Sequence, residues 1–317
     1  ADFNAKYTLD EVRFWDFLET TQKEELEKLK RQSDWKIKVL DRFDKLVKKY
    51  GILRLLRKGL AVDDAHFTLF YVAPLQNSSQ SIKDNFENNQ FSVTRQLKYS
   101  VANPLEEIDM VIFINGIPIS TIELKNQWTG QNAKVHGVQQ YKYKRDIAQP
   151  LLNFGRCIVH FAVDTDEIYM TTKLDGANTF FFFFNLGNNY GKGNPTNPFG
   201  HKTSYFWQDV LRRESIANII QHFVRFDGAE NDALSKKTLF FPRYHQLDVV
   251  RRLIKDTTQK GAGETYLIQH SAGSGKSNSI TWLAYQLIEA YPENEAVAGS
   301  KNTNQPLFDS VIVVTDR

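Results

Sequence analysis

The sequence predicts an α/β chain in two parts: a domain with N-terminal helices and a mixed sheet, then the start of a second α/β domain. Three observations carry this. Apolar residues recur at helical spacing up to about residue 60 and then give way to alternating, strand-like runs. A polar stretch, Gly228 to Lys237, reads as a linker, which sets boundaries at 1–227, 228–237 and 238–317. Beyond it come a short apolar run, a Gly/Ser loop ending in Lys-Ser, and an apolar-periodic helix.

Phe14, Trp15, Phe17 and Leu18 form the first apolar cluster. Thr20 or Thr21, with Glu24, offers a capping box for the charged helix that follows. Val39, Phe43, Leu46 and Val47 recur at helical spacing, Gly51 closes that helix, and Leu53 to Leu56 suggests another. HFTLFYVA, FSVTRQLKYS, IDMVIFIN and ISTIELK, between His66 and Lys125, read as strands broken by Asn, Ser, Gly and Pro. GVQQYKYKRD reads as a helix, and CIVHFAVD with EIYMTTKL as a strand pair. Phe180 to Phe184 reads as a buried strand in preference to a platform for stacking bases. Gly187 to Gly200 is a loop by composition; Trp207 to Phe226 is helical, with Ser215 a candidate start for a second helix.

Composition mainly excludes. The formal charge of +3 over 317 residues is too small to define a partner, so any phosphate-binding surface must be local. Lys142, Lys144 and Arg145, interleaved with tyrosines, are one candidate, and a solvated helix face is the alternative. No apolar run is long enough to cross a bilayer and no secretory leader opens the sequence, which predicts a cytoplasmic protein without a membrane partner. Cys157 is the single cysteine, so no intramolecular disulfide can form, and seven scattered histidines argue against structural zinc.

In ETYLIQHSAGSGKSNSITWLAYQLIEA, an apolar run, Thr265 to Gln269, precedes Gly273, Ser274, Gly275, Lys276 and Ser277, and a helix follows. Glycines let backbone N–H groups converge on phosphate oxygens, and a helix N-terminus adds favourable partial charge. Lys276 is placed to reach the β and γ phosphates of ATP, and the Ser277 hydroxyl to hold magnesium. His270 stands where the usual phosphate-loop pattern has its first glycine, a relaxation found in helicase-like motors. Upstream, in FPRYHQLDVVRRL, Arg243 and Gln246 share a helix face, and Gln246 resembles the adenine-reading glutamine of helicase superfamily 2. Downstream, SVIVVTDR reads as a buried strand ending in Thr315, Asp316 and Arg317. The acidic pair and late arginine that ATP hydrolysis needs do not follow, so nucleotide binding without turnover is expected of this stretch alone.

EEIDMVIFINGIPISTIELKNQ holds the second constellation. Glu123 and Lys125, two apart on a strand, share a face, and Asp109 starts the preceding strand. Two carboxylates and an ammonium suit phosphodiester hydrolysis: Asp109 and Glu123 would hold magnesium, and Lys125 would orient water or neutralise phosphate. A surface ion pair is the alternative. A two-residue turn at Asn115-Gly116 would put Asp109 and Glu123 on opposite faces, so the site requires an odd loop, predicted as Asn115-Gly116-Ile117. The trio resembles the D…(D/E)-x-K nuclease superfamily. Gln139 and Tyr143, four apart, resemble the Q-x-x-x-Y motif that follows the lysine in several such nucleases; an ordinary amphipathic helix is the alternative.

The order of the two constellations, and runs such as RFWDFLETT, LRKGLAVDDAHFTLFYVAP, MVIFINGIPISTIELKNQWTGQ, FGRCIVHFAVDTDEIYMTTKL and YLIQHSAGSGKSNSITWLA, resemble the restriction subunit of type I restriction–modification enzymes over nearly the whole chain. The resemblance implies a PD-(D/E)xK-type nuclease domain with a mixed sheet, then the start of a RecA-like helicase domain of superfamily 2. It implies a magnesium-dependent endonuclease coupled to ATP-driven translocation of double-stranded DNA, working with modification and specificity subunits. Asp109, Glu123 and Lys125 would be catalytic, and Gln246, Gly275, Lys276 and Ser277 would bind ATP. It also implies a further N-terminal helix, and with it another metal-side glutamate, beyond this sequence. Two other readings remain: an ATPase whose first domain binds DNA without cutting it, and a non-catalytic assembly module.

Overall fold

The N-terminal helices form where the apolar spacing places them: Glu11–Thr21 (α1), Lys23–Leu29 (α2), Trp35–Tyr50 (α3) and Ile52–Lys58 (α4). Asp10 caps α1 by accepting a hydrogen bond from the Arg13 backbone N–H. Phe14, Phe17 and Leu18 of α1 and Val39, Phe43 and Val47 of α3 are buried, and the Phe14 and Phe43 rings lie 5.9 Å apart. No threonine caps α2: Gln22 stands there, its side chain bonded both ways to the Thr68 backbone. This computed structural model describes residues 3–229, 231–299 and 302–315. They fall into two compact units, residues 1–73 with 81–241, and residues 74–80 with 242–317.

The first unit centres on a mixed six-stranded sheet. Its strands are Phe91–Lys98 (β1), Glu107–Ile114 (β2), Ile117–Leu124 (β3), Val159–Val163 (β4), Ile168–Thr171 (β5) and Phe182–Phe183 (β6), in the spatial order β6-β5-β4-β3-β2-β1. All neighbours are antiparallel except β3 and β4. A parallel pair needs a long crossover. Residues 125–158 supply it, with wide π-helical turns at Ala133–Gly137 and Gln140–Lys144 and a tight turn at Pro150–Leu152. Leu97, Val111 and Phe113 pack with Tyr141, Leu151 and Leu152 of the crossover on one face. On the other, Ile112, Ser120, Ile158 and Phe161 meet Val210, Ile216, Ile219 and Ile220.

Several sequence expectations are corrected here. Of HFTLFYVA only His66 and Phe67 lie in a strand, Ala65–Phe67, which pairs with Leu60–Val62. Phe180 to Phe184 is not a buried strand: two of its residues form the sheet edge, Phe180 and Phe182 are exposed, and Phe184 alone is fully buried. The region from Trp207 is broken into π-turns Phe206–Val210 and Ile219–Phe223 around the helix Arg213–Asn218. Residues 228–237 are no linker. Arg225–Asp227 and Thr238–Phe240 pair antiparallel, so the polar stretch closes a hairpin inside the first unit, and the division between units falls at Phe241 and Pro242.

In the second unit, Tyr244–Lys260 (α5) and Lys276–Ile288 (α6) pack together, burying Leu247, Val250 and Leu253 of α5 and Trp282 of α6. The two runs read as strands, Thr265 to Gln269 and Ser310 to Thr315, form no strand among the described residues. Leu267, Ile312 and Val314 are almost fully exposed. Among the described residues no partner ladder reaches these runs. Asp316 and Arg317 lie outside the described residues.

Candidate active site

The β2–β3 hairpin decides whether Asp109 and Glu123 can meet. Its turn is the two-residue Asn115-Gly116, both in the left-handed region at φ 52° and 76°, with Ile114 opposite Ile117 and Phe113 opposite Pro118. The predicted three-residue loop is therefore absent. A bulge replaces it: past Pro118, which has no N–H to donate, the register shifts and Ile112 faces Ser120. Ile119 is the additional residue, and its carbonyl accepts from the Ile158 N–H of the neighbouring segment at 2.8 Å. Met110 then faces Ile122, which sets Asp109 opposite Glu123 on one face. Gly116 also lies tight against Asp10 and Phe14, whose backbone N would be 2.6 Å from an added Cβ.

Three predicted side chains converge. Lys125 Nζ lies 3.8 Å from Asp109 Oδ2 and 3.9 Å from Glu123 Oε2, and Asp109 Oδ2 also accepts from the Leu124 N–H at 2.7 Å. Lys125 continues the ladder through its N–H to Val163 O. Its aliphatic stem lies against Gly137, where an added Cβ would come within 2.8 Å of Ala162 Cβ; only glycine lets the crossover approach the sheet this closely. Glu123 is fully buried.

Arg145 is a fourth member of the site. Its Nε and Nη2 sit 2.7 and 2.6 Å from Glu123 Oε1, and its guanidinium lies over the Tyr99 ring. The sequence reading grouped Arg145 with Lys142 and Lys144 as a basic patch; instead its side chain is buried against the carboxylate. Tyr141 and Arg145 are four apart and both face the sheet, a spacing that could have revealed the pair. Below Glu123, Thr121 Oγ1 bonds Tyr141 OH at 2.8 Å and His160 Nδ1 at 2.7 Å. Burial drives His160 down to about 3, so this imidazole is neutral.

Gln139 and Tyr143 are not brought to this cluster. Both are exposed on the outer side of the crossover turns, and no hydrogen bond among the described residues ties them to Asp109, Glu123 or Lys125.

Electrostatics favour a cation. Burial lifts the Glu123 carboxyl to about 8, Arg145 pulls it down, Asp109 pushes it up and Lys125 opposes. Its Oε2 is buried without a hydrogen-bond partner, facing the side where Asp109 and Lys125 lie. An unpartnered carboxylate oxygen beside a second carboxylate suits a hard divalent cation. No group of three or more His, Cys, Asp or Glu side chains gathers among the described residues. An ion would therefore take two carboxylates and complete its shell with main-chain or water oxygens, as magnesium commonly does.

Comparisons with known proteins cover most of the residues of this sheet. Residues 11–179, more than half of the chain, match the family described as the type I restriction enzyme R protein N terminus. The chain belongs to that family. It is 26% identical over 289 residues to the type I restriction enzyme HindI endonuclease subunit of Haemophilus influenzae, an alignment covering 86% of the chain and 24% of that subunit. It is 28% identical over 229 residues to a protein of Methanocaldococcus jannaschii named as the MjaVIIIP endonuclease subunit, covering 67% and 20%. The chain thus spans about a fifth to a quarter of the length of these relatives. The matched family residues hold the whole Asp109, Glu123, Lys125 and Arg145 cluster.

The residues read from the sequence as a phosphate loop lie in the second unit. Gly275 precedes the first turn of α6, and Lys276 and Ser277, both exposed, occupy that turn. Lys276 Nζ reaches His270 O at 3.4 Å. Gly273 is exposed, while Ser274 is buried with its hydroxyl oxygen unpartnered. Gln246 is committed to this loop: its amide donates to Ser274 O and Gly275 O and accepts from the Arg243 N–H at 2.9 Å. His245 Nε2 also meets Ser274 O, at 3.0 Å. No helix of the described residues is long and apolar enough to cross a membrane.

Proposed function

We propose that the first unit is the DNA-cleaving part of a type I restriction subunit, using a magnesium ion held between Asp109 and Glu123. The observation that carries this is the bulge at Ile119, which puts both carboxylates on one face beside Lys125. A bound magnesium ion would supply a polarised water and a counter-charge for the phosphate. The protein's groups have distinct roles. Glu123 offers its unpartnered Oε2 and Asp109 its Oδ2 as ligands. The Lys125 ammonium, held between them, orients the attacking water or neutralises phosphate charge. Gln139, Tyr143, the half-buried Lys142 and the exposed Lys144 form an outward face suited to the DNA backbone.

The second unit is the start of an ATP-driven motor in this reading. Gly273, Ser274, Gly275 and Lys276 would cradle the phosphates, Ser277 would hold a second magnesium ion, and Arg243 and Gln246 would border the nucleotide. The relatives' names, together with the belonging of this chain to their family, support a complex with modification and specificity subunits acting on double-stranded DNA.

The test uses the full-length subunit assembled with those partners. Glu123→Gln is expected to lower double-strand cutting by about three orders of magnitude while ATP hydrolysis stays at the wild-type rate. Cutting that survives in this variant contradicts the assignment and leaves a DNA-binding ATPase.

A further inference from the structure

We propose that Arg145 sets the ion selectivity of the Asp109–Glu123 pair, by restricting Glu123 to a single ligand oxygen and so favouring a small octahedral cation over a larger one. This rests on reading that pair as a metal site. Both close contacts from the guanidinium, Nη2 at 2.6 Å and Nε at 2.7 Å, fall on Oε1, and Oε2 has no hydrogen-bond partner. The fork is itself fixed. Arg145 is a buried side chain, its backbone N–H bonds Gln140 O, and its guanidinium lies over the Tyr99 ring, whose hydroxyl donates to Glu106 at 2.8 Å. To present both oxygens to one ion, Glu123 would have to turn and break two charge-assisted hydrogen bonds in a buried site.

The cost falls unequally on different cations. Magnesium accepts carboxylates through single oxygens at close to 2.1 Å and keeps several waters. Calcium wants six to eight oxygens at about 2.3–2.6 Å and readily takes both oxygens of one carboxylate. Arg145 leaves the first mode open and obstructs the second. Simple neutralisation of a buried carboxylate is the competing role for Arg145. Lysine separates the two, because it keeps the charge and loses the fork.

The experiment measures manganese binding to the intact protein by the paramagnetic signal of the free ion, with calcium and magnesium as competitors. Arg145→Lys and Arg145→Gln are both expected to raise the calcium-over-magnesium preference about tenfold relative to wild type. An unchanged preference in folded Arg145→Lys overturns the proposal. Should neither variant fold, carboxylate stretching frequencies of the wild-type protein decide: one-oxygen coordination with both cations is expected, and two-oxygen coordination with calcium overturns it. Manganese binding that Asp109→Asn leaves intact overturns the metal-site reading itself, an outcome distinct from an unchanged ion preference.

Discussion

The β2–β3 hairpin and the phosphate-loop segment were equally legible as chemistry, yet only the hairpin is built as a sheet. The hairpin brings its partner strand with it, two residues away in sequence, so the backbone between Asp109 and Glu123 pairs within the chain except at the bulge. Thr265 to Gln269 and Ser310 to Thr315 have equally apolar patterns but no described strand beside them, and Leu267, Ile312 and Val314 stay in water. Apolar patterning states what a segment would bury; pairing depends on what lies beside it.

Inserting one alanine between Ser120 and Thr121 is expected to break the hairpin side of this comparison most severely. With one more residue beyond the bulge, Asp109 falls opposite Ile122, and Glu123 turns to the other face or the apolar set turns outward. A loss of several kcal/mol in denaturant unfolding is expected, with manganese binding abolished. Stable folding with intact ion binding would show that the β2–β3 register does not set the site.

The strandless side is sharpened in a form carrying the remaining length of the relatives. Amides of Tyr266 to Ile268 are expected to exchange roughly a hundredfold more slowly there than in this chain, as partner strands pair them. Equal exchange in both forms would mean that the run is a loop by nature.

A smaller effect concerns protons. The folded Glu123 value, about 8, lies above its ordinary 4.5, so the metal-free protein gains stability from protonation that is full below about pH 4.5 and lost as pH rises through 8. Thermal melts without metal should therefore decline by a few degrees across that window, and Glu123→Gln should flatten the decline. Magnesium should raise Tm more at the alkaline end, where it no longer competes with a proton. A magnesium effect that is independent of pH would place the ion away from Glu123.

The sequence carried the strands between Phe91 and Val163, the helix end at Gly51 and the grouping of Asp109, Glu123 and Lys125, because alternation, glycine and spacing are local signals. It failed where the answer was non-local or off-period. The linker at 228–237 became a hairpin because Arg225–Asp227 and Thr238–Phe240 recognise each other across it. The residue needed for register entered as a bulge after Pro118, invisible to counting turn residues. Arg145 looked like one of three solvated cations because composition does not say which side of a π-turn faces the sheet.

The most direct test of the central claim is a crystal structure of the protein grown with manganese, with the ion located by its anomalous scattering. One ion between Asp109 Oδ2 and Glu123 Oε2, with Arg145 still on Oε1, is the predicted result. A crystal with manganese bound elsewhere, or with these two carboxylates still paired only to Lys125 and Arg145, would contradict it.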